Sequence, residues 1–484
     1  MGSDVVALAA GDPPRPDLTA GDAGRPARQP EGSARPPART VLLPLAVGVA
    51  VAVAYLPGAD RTLDYDSAQT VGSYVRTPSL VDAVSSQRLF NNHPALSLLE
   101  HGVHTLTGSD ADWVLRLAPI GFAAVTVALL VAVLRRHLGT SPAVCAGLVV
   151  ATNPTVVELS RAVRGYSLLL LCGVASSAAL ARLIASQEGA AGPARAAGPV
   201  YVVAVAVGLA THLYMAPILL GQVAVVVARR ASTHAWVKRW ILGCGLGGVV
   251  YLVLLDDLLE ASGAGGRRFK ADFPGRLVEV VGGTAPAAVL LAVAFGVGAW
   301  SLRRRRDLRA ATLLVGGAVA FTWLVVASVH LEARFHVWLV PAVAAVVAVG
   351  VRRVPALAVV VVLAAGINAA SLVDGYTADP SALPELAEIV DRAEGAGLDA
   401  CIAPYTVLAI DAYTDHLTIA GPDDLAACDV LVAAFPGLDA DTIAAARDQM
   451  GASRAVDGAS ATGHVFARDR ATLDRVTGAS AAPR

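Results

Sequence analysis

The chain has 484 residues, of which 55% are hydrophobic and only 16% are charged, whereas soluble globular proteins carry about 25% charged residues. Its mean hydropathy of +0.59 excludes an ordinary soluble domain and indicates that lipid is the solvent for much of the chain. The formal net charge of −1 provides no basic surplus, so we predict no nucleic-acid partner.

Residues 1–40 are rich in Pro, Gly, Ala, Asp and Arg and lack hydrophobic periodicity, which predicts a disordered cytoplasmic tail. The first apolar run begins at Val41 and is long enough to span a bilayer. Because a long polar leader precedes it, we interpret this run as a retained anchor and not as a cleaved signal peptide.

Apolar stretches of near-spanning length recur as far as residue 373 and predict about eleven transmembrane helices. They lie near residues 41–57, 113–134, 141–159, 166–186, 199–211, 213–228, 240–255, 285–302, 311–329, 335–351 and 354–373. The fifth and sixth stretches are short, so the residues Thr211–Tyr214 between them mark either a tight hairpin or the middle of one tilted helix.

Basic clusters follow the even-numbered spans. They are Arg135–Arg136, Arg195, Arg229–Arg230 with Lys238–Arg239, Arg303–Arg306 with Arg309, and Arg352–Arg353. If the short pair counts as two crossings, all of these clusters share one side with the N-terminus, which is the positive-inside pattern. The pattern predicts a multi-pass plasma-membrane protein with a cytoplasmic N-terminus. One loop, residues 256–283, departs from the rule because it carries four basic residues, together with five acidic ones, and yet is predicted outside.

This topology places two large segments outside the cytoplasm, a loop at residues 58–112 and a region at residues 374–484. In the second segment, helical stretches at 384–396 and 442–450 alternate with strand-like runs at 400–403, 417–420 and 430–435 and near Val465. We therefore predict a small extracytoplasmic α/β domain after a transmembrane domain at residues 41–373. Cys401 and Cys428 either pair in this oxidising compartment or stay free.

Ionisable side chains near lipid are costly, and here they gather at the predicted outer face. They are Asp64, Asp66, Arg88, His93, Glu100, His101, His104, Glu158, Arg161, Arg164, His212, His330, Glu332, Arg334 and His336. Transporters usually hold such groups near the bilayer midplane, so this distribution favours chemistry at the membrane surface. A lipid-linked substrate fits, since Arg or His would bind its phosphate at headgroup level.

Short motifs occur in order at Leu63–Ala68, Asn91–Leu96, Leu115–Pro119 and Ser160–Leu168. Together, and over residues 41–373, they resemble bacterial dolichyl-phosphate-mannose protein mannosyltransferase-like enzymes of the GT-C glycosyltransferase superfamily. The resemblance implies a GT-C-like, polytopic α-helical membrane protein. It also implies an inverting hexosyl- or pentosyltransferase that moves a sugar from a polyprenyl-phosphate donor to a glycan, lipid or protein acceptor outside the cytoplasm.

The resemblance further implies that a first-loop carboxylate is the general base, since the acceptor hydroxyl must lose its proton as it attacks the anomeric carbon. The family typically reads Asp-Glu where this chain has Asp66-Ser67, so the second acid is missing. Asp66 is the predicted base and Asp64 is the alternative. The alternative to a catalytic role is an interfacial acid or a helix cap near the start of the loop.

The leaving phosphate requires fixed cations. Arg334 is the first candidate, because Glu332–Phe335 lies where the resembling enzymes tend to carry a phosphate contact. Arg161 and Arg164 come next, although both also suit snorkelling anchors at a helix end. The remaining candidates are Arg267, Arg268 and Lys270, in a loop that would close over the phosphate as a flap, and the site residues His93, Tyr166, Glu332 and His336.

No cofactor is predicted. His101 and His104 lie one helical turn apart, but no third ligand is identifiable, so a divalent metal stays an open alternative. The competing function is a transporter or flippase of lipid-linked sugars, which inverted repeats and interrupted spans would favour. A scaffold that only presents the C-terminal domain would leave the outer-face charges without a purpose.

Overall fold

The structure is a computed structural model that describes residues 39–85, 93–109, 111–187, 195–230, 233–255, 273–306, 308, 315–317, 319, 333–375, 381–415, 417–434, 439–456 and 463–478. The first helix begins at Arg39, so nearly all of the predicted tail lies outside the described residues. The predicted flap with Arg267, Arg268 and Lys270, and most of the predicted span at 311–329, lie outside them too.

Helices make up the described chain as far as Gly375. They are α1 (Arg39–Tyr55), α2 (Tyr65–Thr70), a π-helical turn (Val71–Val75), α3 (Leu80–Ser85), α4 (Pro94–Thr107), α5 (Asp112–Leu138), α6 (Thr140–Ala151), α7 (Pro154–Arg161), α8 (Tyr166–Gln187), α9 (Ala197–Thr211), α10 (Met215–Arg229), α11 (Thr233–Val253), α12 (Phe273–Gly282), α13 (Ala285–Leu302), a 3₁₀ turn (Ala333–Leu339), α14 (Val340–Arg353) and α15 (Leu357–Gly375).

Among the described residues, four helical segments are long and apolar enough to cross a membrane, namely α5, α8, α13 and Ala333–Arg353. Helices α6 and α7 form a fifth candidate that is bent by 61°. Shorter apolar helices lie at Val41–Tyr55, Ala197–Thr211, Met215–Arg229 and Leu357–Val373. The polytopic helical membrane fold is thus confirmed, while the count of eleven spans stays a prediction. At Thr211–Tyr214 the chain forms two helices, α9 and α10, and not one.

The transmembrane helices pack closely where both partners lack side-chain bulk. Gly298 of α13 and Gly350 of α14 each lie so near the other helix that an added Cβ would collide with its backbone. Small residues permit this close approach, which replaces the hydrophobic driving force that lipid does not supply.

The C-terminal region forms the predicted small α/β unit. Its sheet has the order β1 (Ala400–Ile402), β2 (Val430–Ala433), β4 (Gly463–Ala467) and β3 (Ala452–Val456), with β1 and β2 parallel and the other pairs antiparallel. The predicted strand at 417–420 is only an isolated bridge between Ile402 and Ile419, and β3 was not anticipated. Cys401 and Cys428 form a disulfide in the structure.

Four helices accompany this sheet, α16 (Leu383–Gly395), α17 (Val407–Ile410), α18 (Ala440–Gln449) and α19 (Arg470–Thr477). One buried apolar cluster joins the sheet and helices α16, α17 and α19 to the first loop, through Leu63, Ala68, Val71 and Val75. The α/β unit therefore packs directly on the loop that carries the predicted base.

Candidate active site

Helix α2 presents Asp66 in its first turn because Asp64 caps its N-terminus. The Asp64 carboxylate accepts hydrogen bonds from the backbone N–H and the hydroxyl of Ser67, each at 2.9 Å. These bonds satisfy a helix-end donor that would otherwise lack a partner. Asp64, the alternative base, is therefore engaged in holding the helix, whereas Asp66 lies in the first turn of that helix.

Asp66 and Arg334 form a direct ion pair. Asp66 Oδ2 lies 2.8 Å from Arg334 Nη2, and the two side chains are 16% and 41% exposed. The first loop and the 3₁₀ turn before α14 thus bring together the predicted base and the first candidate for phosphate binding. The partial exposure of Arg334 leaves its guanidinium accessible to a ligand.

Ser67 occupies the position of the family's second acid, and it links two of the motifs. It is fully buried, and its hydroxyl accepts a hydrogen bond of 2.9 Å from the backbone N–H of Val163. The same hydroxyl donates to Asp64. In this chain the position therefore connects the first loop to the segment at Ser160–Leu168.

Arg164 lies beneath helix α2 with only 2% of its surface exposed. Its Nη1 donates to Thr70 Oγ1 at 3.1 Å and to the backbone oxygen of Asp66 at 3.4 Å. A buried guanidinium with such partners fixes the helix more directly than it reaches a ligand.

Arg161 lies apart from Arg164, in a small charged cavity of about 140 Å³. The residues that line the cavity are Gly58, Arg61, Asp64, Arg116, Glu158, Arg161 and Ala162. Gly58 has a positive φ of 74°, and a Cβ there would collide with the Arg161 guanidinium. A glycine is thus required for the loop after α1 to pass this close to Arg161.

Arg116 and Glu158, two charged residues of this cavity, were not assigned to the site from the sequence. Arg116 is 4% exposed and donates to the carbonyl oxygens of Ala59, Arg61 and Thr62, so it holds the loop after α1 in place. Glu158 is exposed and interacts electrostatically with both Asp64 and Arg334. The sequence did contain an indication of each residue. An arginine near the start of an apolar span and an acid near the end of one are both costly next to lipid, so both are candidates for a functional or structural role.

An aromatic cluster lines the site next to Arg334. His93 lies 5.3 Å from Tyr166 and 5.0 Å from His212 between ring centroids. Phe335 stacks on Tyr166 at 6.4 Å. The cluster continues through Tyr214 to His336, at 5.1 Å. Three predicted site residues therefore lie in this cluster: His93 contacts Tyr166, and His336 joins it through Tyr214. Glu332 lies outside the described residues.

The histidines at this wall are neutral. Burial lowers the pKa of His93 well below its usual value, and the nearby Arg164 charge lowers it further. Burial and Arg164 likewise lower the pKa of His212 to about 3. The Nδ1–H of His93 donates to the Thr211 carbonyl at 3.1 Å. These imidazoles can donate or accept hydrogen bonds, but they cannot supply the positive charge that a phosphate needs.

Within the described part of the chain, no three His, Cys, Asp or Glu side chains converge to form a metal site. The Nδ1 of His101 bonds instead to the Val75 carbonyl at 2.9 Å, and that of His104 faces the Ser109 carbonyl at 3.4 Å.

A large apolar cavity of about 510 Å³ opens between α5, α8, α10 and α14. Its lining includes Leu130, Leu170, Val174, Ile218 and Leu339. The 3₁₀ turn that contains Arg334 ends at Leu339, so the same turn contributes to the charged site and to this cavity.

Comparisons with known proteins agree with this architecture. The family model for dolichyl-phosphate-mannose-protein mannosyltransferase matches residues 92–255. No curated protein sequence matches the chain.

Three solved structures share the fold. ArnT from Cupriavidus metallidurans has a TM-score of 0.59 at 14% identity in the apo state, and 0.58 at 15% identity when bound to undecaprenyl phosphate. Each alignment covers 89% of this chain and 98% of ArnT. The Archaeoglobus fulgidus oligosaccharyltransferase, tethered to an acceptor peptide, has a TM-score of 0.53 at 12% identity, covering 88% of this chain and 74% of that one. The predicted resemblance is thereby confirmed: residues 92–255 match the mannosyltransferase family model, and the chain shares its fold with ArnT and the oligosaccharyltransferase.

Proposed function

We propose that the protein transfers a sugar from a polyprenyl-phosphate donor to an acceptor hydroxyl at the outer face of the plasma membrane. The ion pair between Asp66 and Arg334 is the observation that carries the proposal. It lies on the first loop, which we predict to be outside the cytoplasm, and the turn that contains Arg334 also borders a large apolar cavity. The structure of ArnT with bound undecaprenyl phosphate supports a donor of this class.

Arg334 has the geometry to exchange one anion for another. A guanidinium has five N–H donors in a fixed fork and suits carboxylate and phosphate equally well. In the structure it pairs with Asp66. When the donor phosphate arrives, it competes for the same guanidinium and releases the Asp66 carboxylate at the point where the acceptor must lose its proton.

The reaction then needs one displacement. The acceptor oxygen forms a bond to the anomeric carbon while the bond from that carbon to the phosphate oxygen breaks. Asp66 accepts the hydroxyl proton, and Arg334 stabilises the charge that develops on the leaving polyprenyl phosphate. A single displacement of this kind inverts the anomeric configuration, and one base suffices because the phosphate leaves without protonation.

We assign the other residues either to binding of the donor or to support of the residues that react. Arg161, in the charged cavity, is the second candidate for a contact with the donor phosphate or sugar. Arg164 acts through helix α2, since its bonds go to Thr70 and the Asp66 backbone. The neutral wall of His93, Tyr166 and His336 shields the reacting atoms from water. The roles of Arg267, Arg268 and Lys270 as a flap stay predictions.

The cavity of about 510 Å³ suits part of a polyprenyl chain, because its lining is mostly apolar and it lies among membrane helices. The donor would place its tail there and its phosphate next to Arg334, since one 3₁₀ turn borders both.

A flippase is the second candidate, because helices α6 and α7 form a broken span with a bend of 61°, and broken spans are typical of transporters. However, α7 ends with Glu158 and Arg161 next to Asp64. The charges that follow the break line the same cavity as Asp64, which favours a site at the predicted outer face over a midplane binding site.

A transfer assay separates the two functions. Purified protein in lipid vesicles receives a radiolabelled polyprenyl-phosphate mannose or arabinose, with bacterial envelope extract as the source of acceptor. Label should leave the donor lipid for an acceptor. Asp66→Asn should lower the rate by roughly 10² to 10⁴-fold, the usual contribution of a general base, and Arg334→Ala should lower it by a comparable factor.

Matched controls exist on exposed surfaces. Asp415→Asn and Arg353→Ala change the same residue types at exposed positions, and both should keep the wild-type rate. If the wild type moves intact donor across the vesicle without cleaving it, the flippase is correct. Normal transfer by Asp66→Asn would refute the role of Asp66.

A further inference from the structure

The α/β unit contacts both ends of helix α2, the helix that carries Asp66. Helix α17 packs against α2 and the π-helical turn, and the apolar side chains of Leu63, Val71 and Val75 are buried in one cluster with Val407 and Ile410. Burial of this kind fixes two elements relative to each other, because separating them would expose the whole shared cluster to water.

A hydrogen bond anchors the N-terminal end of helix α2. The backbone N–H of Leu63 donates to the hydroxyl of Tyr413 at 2.7 Å. Leu63 is 1% exposed and directly precedes the capping residue Asp64. A shift of Tyr413 would therefore move the cap and, with it, the first turn that contains Asp66.

The segment after the helix is anchored by the two residues before Tyr413. The Arg76 guanidinium donates to the carbonyl oxygen of Ala412. The backbone of Gly72, in the π-helical turn, lies so close to the Asp411 carboxylate that a Cβ there would collide with it. Three consecutive residues, Asp411, Ala412 and Tyr413, thus contact the first loop on both sides of α2, and we call them the clamp.

The membrane domain supports the same helix from the opposite side. Arg164 bonds to Thr70 and to the Asp66 backbone, and Val163 bonds to Ser67. The helix therefore lies between a membrane-side support and the clamp. A misplacement of about 1 Å in a reacting group can cost roughly 100-fold in rate, so a base held on a six-residue helix depends on both.

We propose that the C-terminal α/β unit is a positioning element of the active site, and that its clamp sets the place of Asp66 through helix α2. The inference rests on the proposed transferase function. It assigns the unit a role in turnover, whichever acceptor the protein uses.

Tyr413→Phe tests the clamp with a minimal change, because it removes the hydroxyl that holds Leu63 and keeps the ring. We expect kcat to fall about tenfold. This decrease lies between the one expected from the loss of a single hydrogen bond and the one expected from a displacement of about 1 Å. The donor KM should stay within about twofold of wild type. Tyr405→Phe is the control, since Tyr405 belongs to the same unit and its side chain is exposed. Arg76→Gln offers a second variant if Tyr413→Phe does not fold.

A double variant separates positioning from a general structural effect. In the Asp66→Asn background, Tyr413→Phe should cause no further loss, because the base that it positions is already absent. An unchanged kcat in Tyr413→Phe would overturn the proposal, as would an equal loss in both backgrounds.

Hydrogen exchange provides a readout that does not need activity. Amides of residues 63–76 should exchange faster in Tyr413→Phe than in wild type or Tyr405→Phe, and unchanged exchange would refute the clamp. If the wild type turns over no donor, the proposed function fails, and the exchange experiment still shows whether the clamp exists.

Discussion

Glu100 in helix α4 carries a carboxyl group that is buried within the protein. Its side chain has no exposed surface, and neither carboxyl oxygen has a hydrogen-bond partner among the described residues. Burial raises its pKa from the ordinary 4.5 to about 8. The group is therefore mostly protonated in the folded protein at neutral pH.

The cost of this burial follows from linkage. In the unfolded chain Glu100 ionises near pH 4.5, and in the folded protein near pH 8. Folding at pH 7 thus takes up a proton, and the 2.5 pH units above the unfolded pKa correspond to about 3 kcal/mol at 1.36 kcal/mol per unit. The penalty is absent below pH 4.5, grows as the pH rises, and becomes constant above about pH 8.

Glu100→Gln removes the ionisation and keeps the shape, so it should stabilise the protein by about 3 kcal/mol at pH 7. The assay is apparent Tm in detergent, followed by tryptophan fluorescence from pH 4 to pH 9. The gain of Glu100→Gln over wild type should appear above pH 4.5 and level off near pH 8. Glu388→Gln is the control, since that side chain is 76% exposed. A variant that is less stable than wild type at pH 8 would show that Glu100 is ionised and paired, and would refute the reasoning.

Two further predictions concern packing and the loop. Gly298→Ala should destabilise the protein by about 1 to 3 kcal/mol, because its Cβ would collide with the backbone of α14. Gly296→Ala, on the same helix with open space around it, should be neutral or slightly stabilising. The measurement is Tm in detergent, and equal Tm values for the two variants would contradict the prediction. Ser67→Glu recreates the family's Asp-Glu pair but replaces a buried hydroxyl that binds Asp64 and Val163. It should lower both the yield of folded protein and the rate of sugar transfer. A variant more active than wild type would contradict this, because it would show that a second acid at position 67 can be accommodated and favours the reaction.

Several features could be predicted from the sequence because they depend on local composition. Hydropathy predicted where the apolar helices lie, and the alternation of helical and strand-like stretches predicted the C-terminal α/β unit. The motif at Leu63–Ala68 identified Asp66, and Glu332–Phe335 pointed to Arg334. Strand β3 escaped prediction because its residues are largely exposed and lack the alternating pattern of a half-buried strand.

Roles within the site were harder to predict, because they depend on where side chains point. Asp64 and Asp66 are two residues apart, and only their hydrogen bonds show that the first caps the helix and the second meets Arg334. Arg161 and Arg164 looked equivalent in sequence, yet one lines an open cavity and the other is buried under α2.

The sequence by itself predicted a polytopic membrane protein that resembles mannosyltransferase-like enzymes, since hydropathy, charge placement and short motifs are properties of contiguous residues. Only the tertiary structure decided that Asp66 lies 2.8 Å from Arg334 and that Tyr413 anchors Leu63. The residues in these contacts are hundreds of positions apart, so their distance is set by how helices and sheet pack, and no local pattern encodes it.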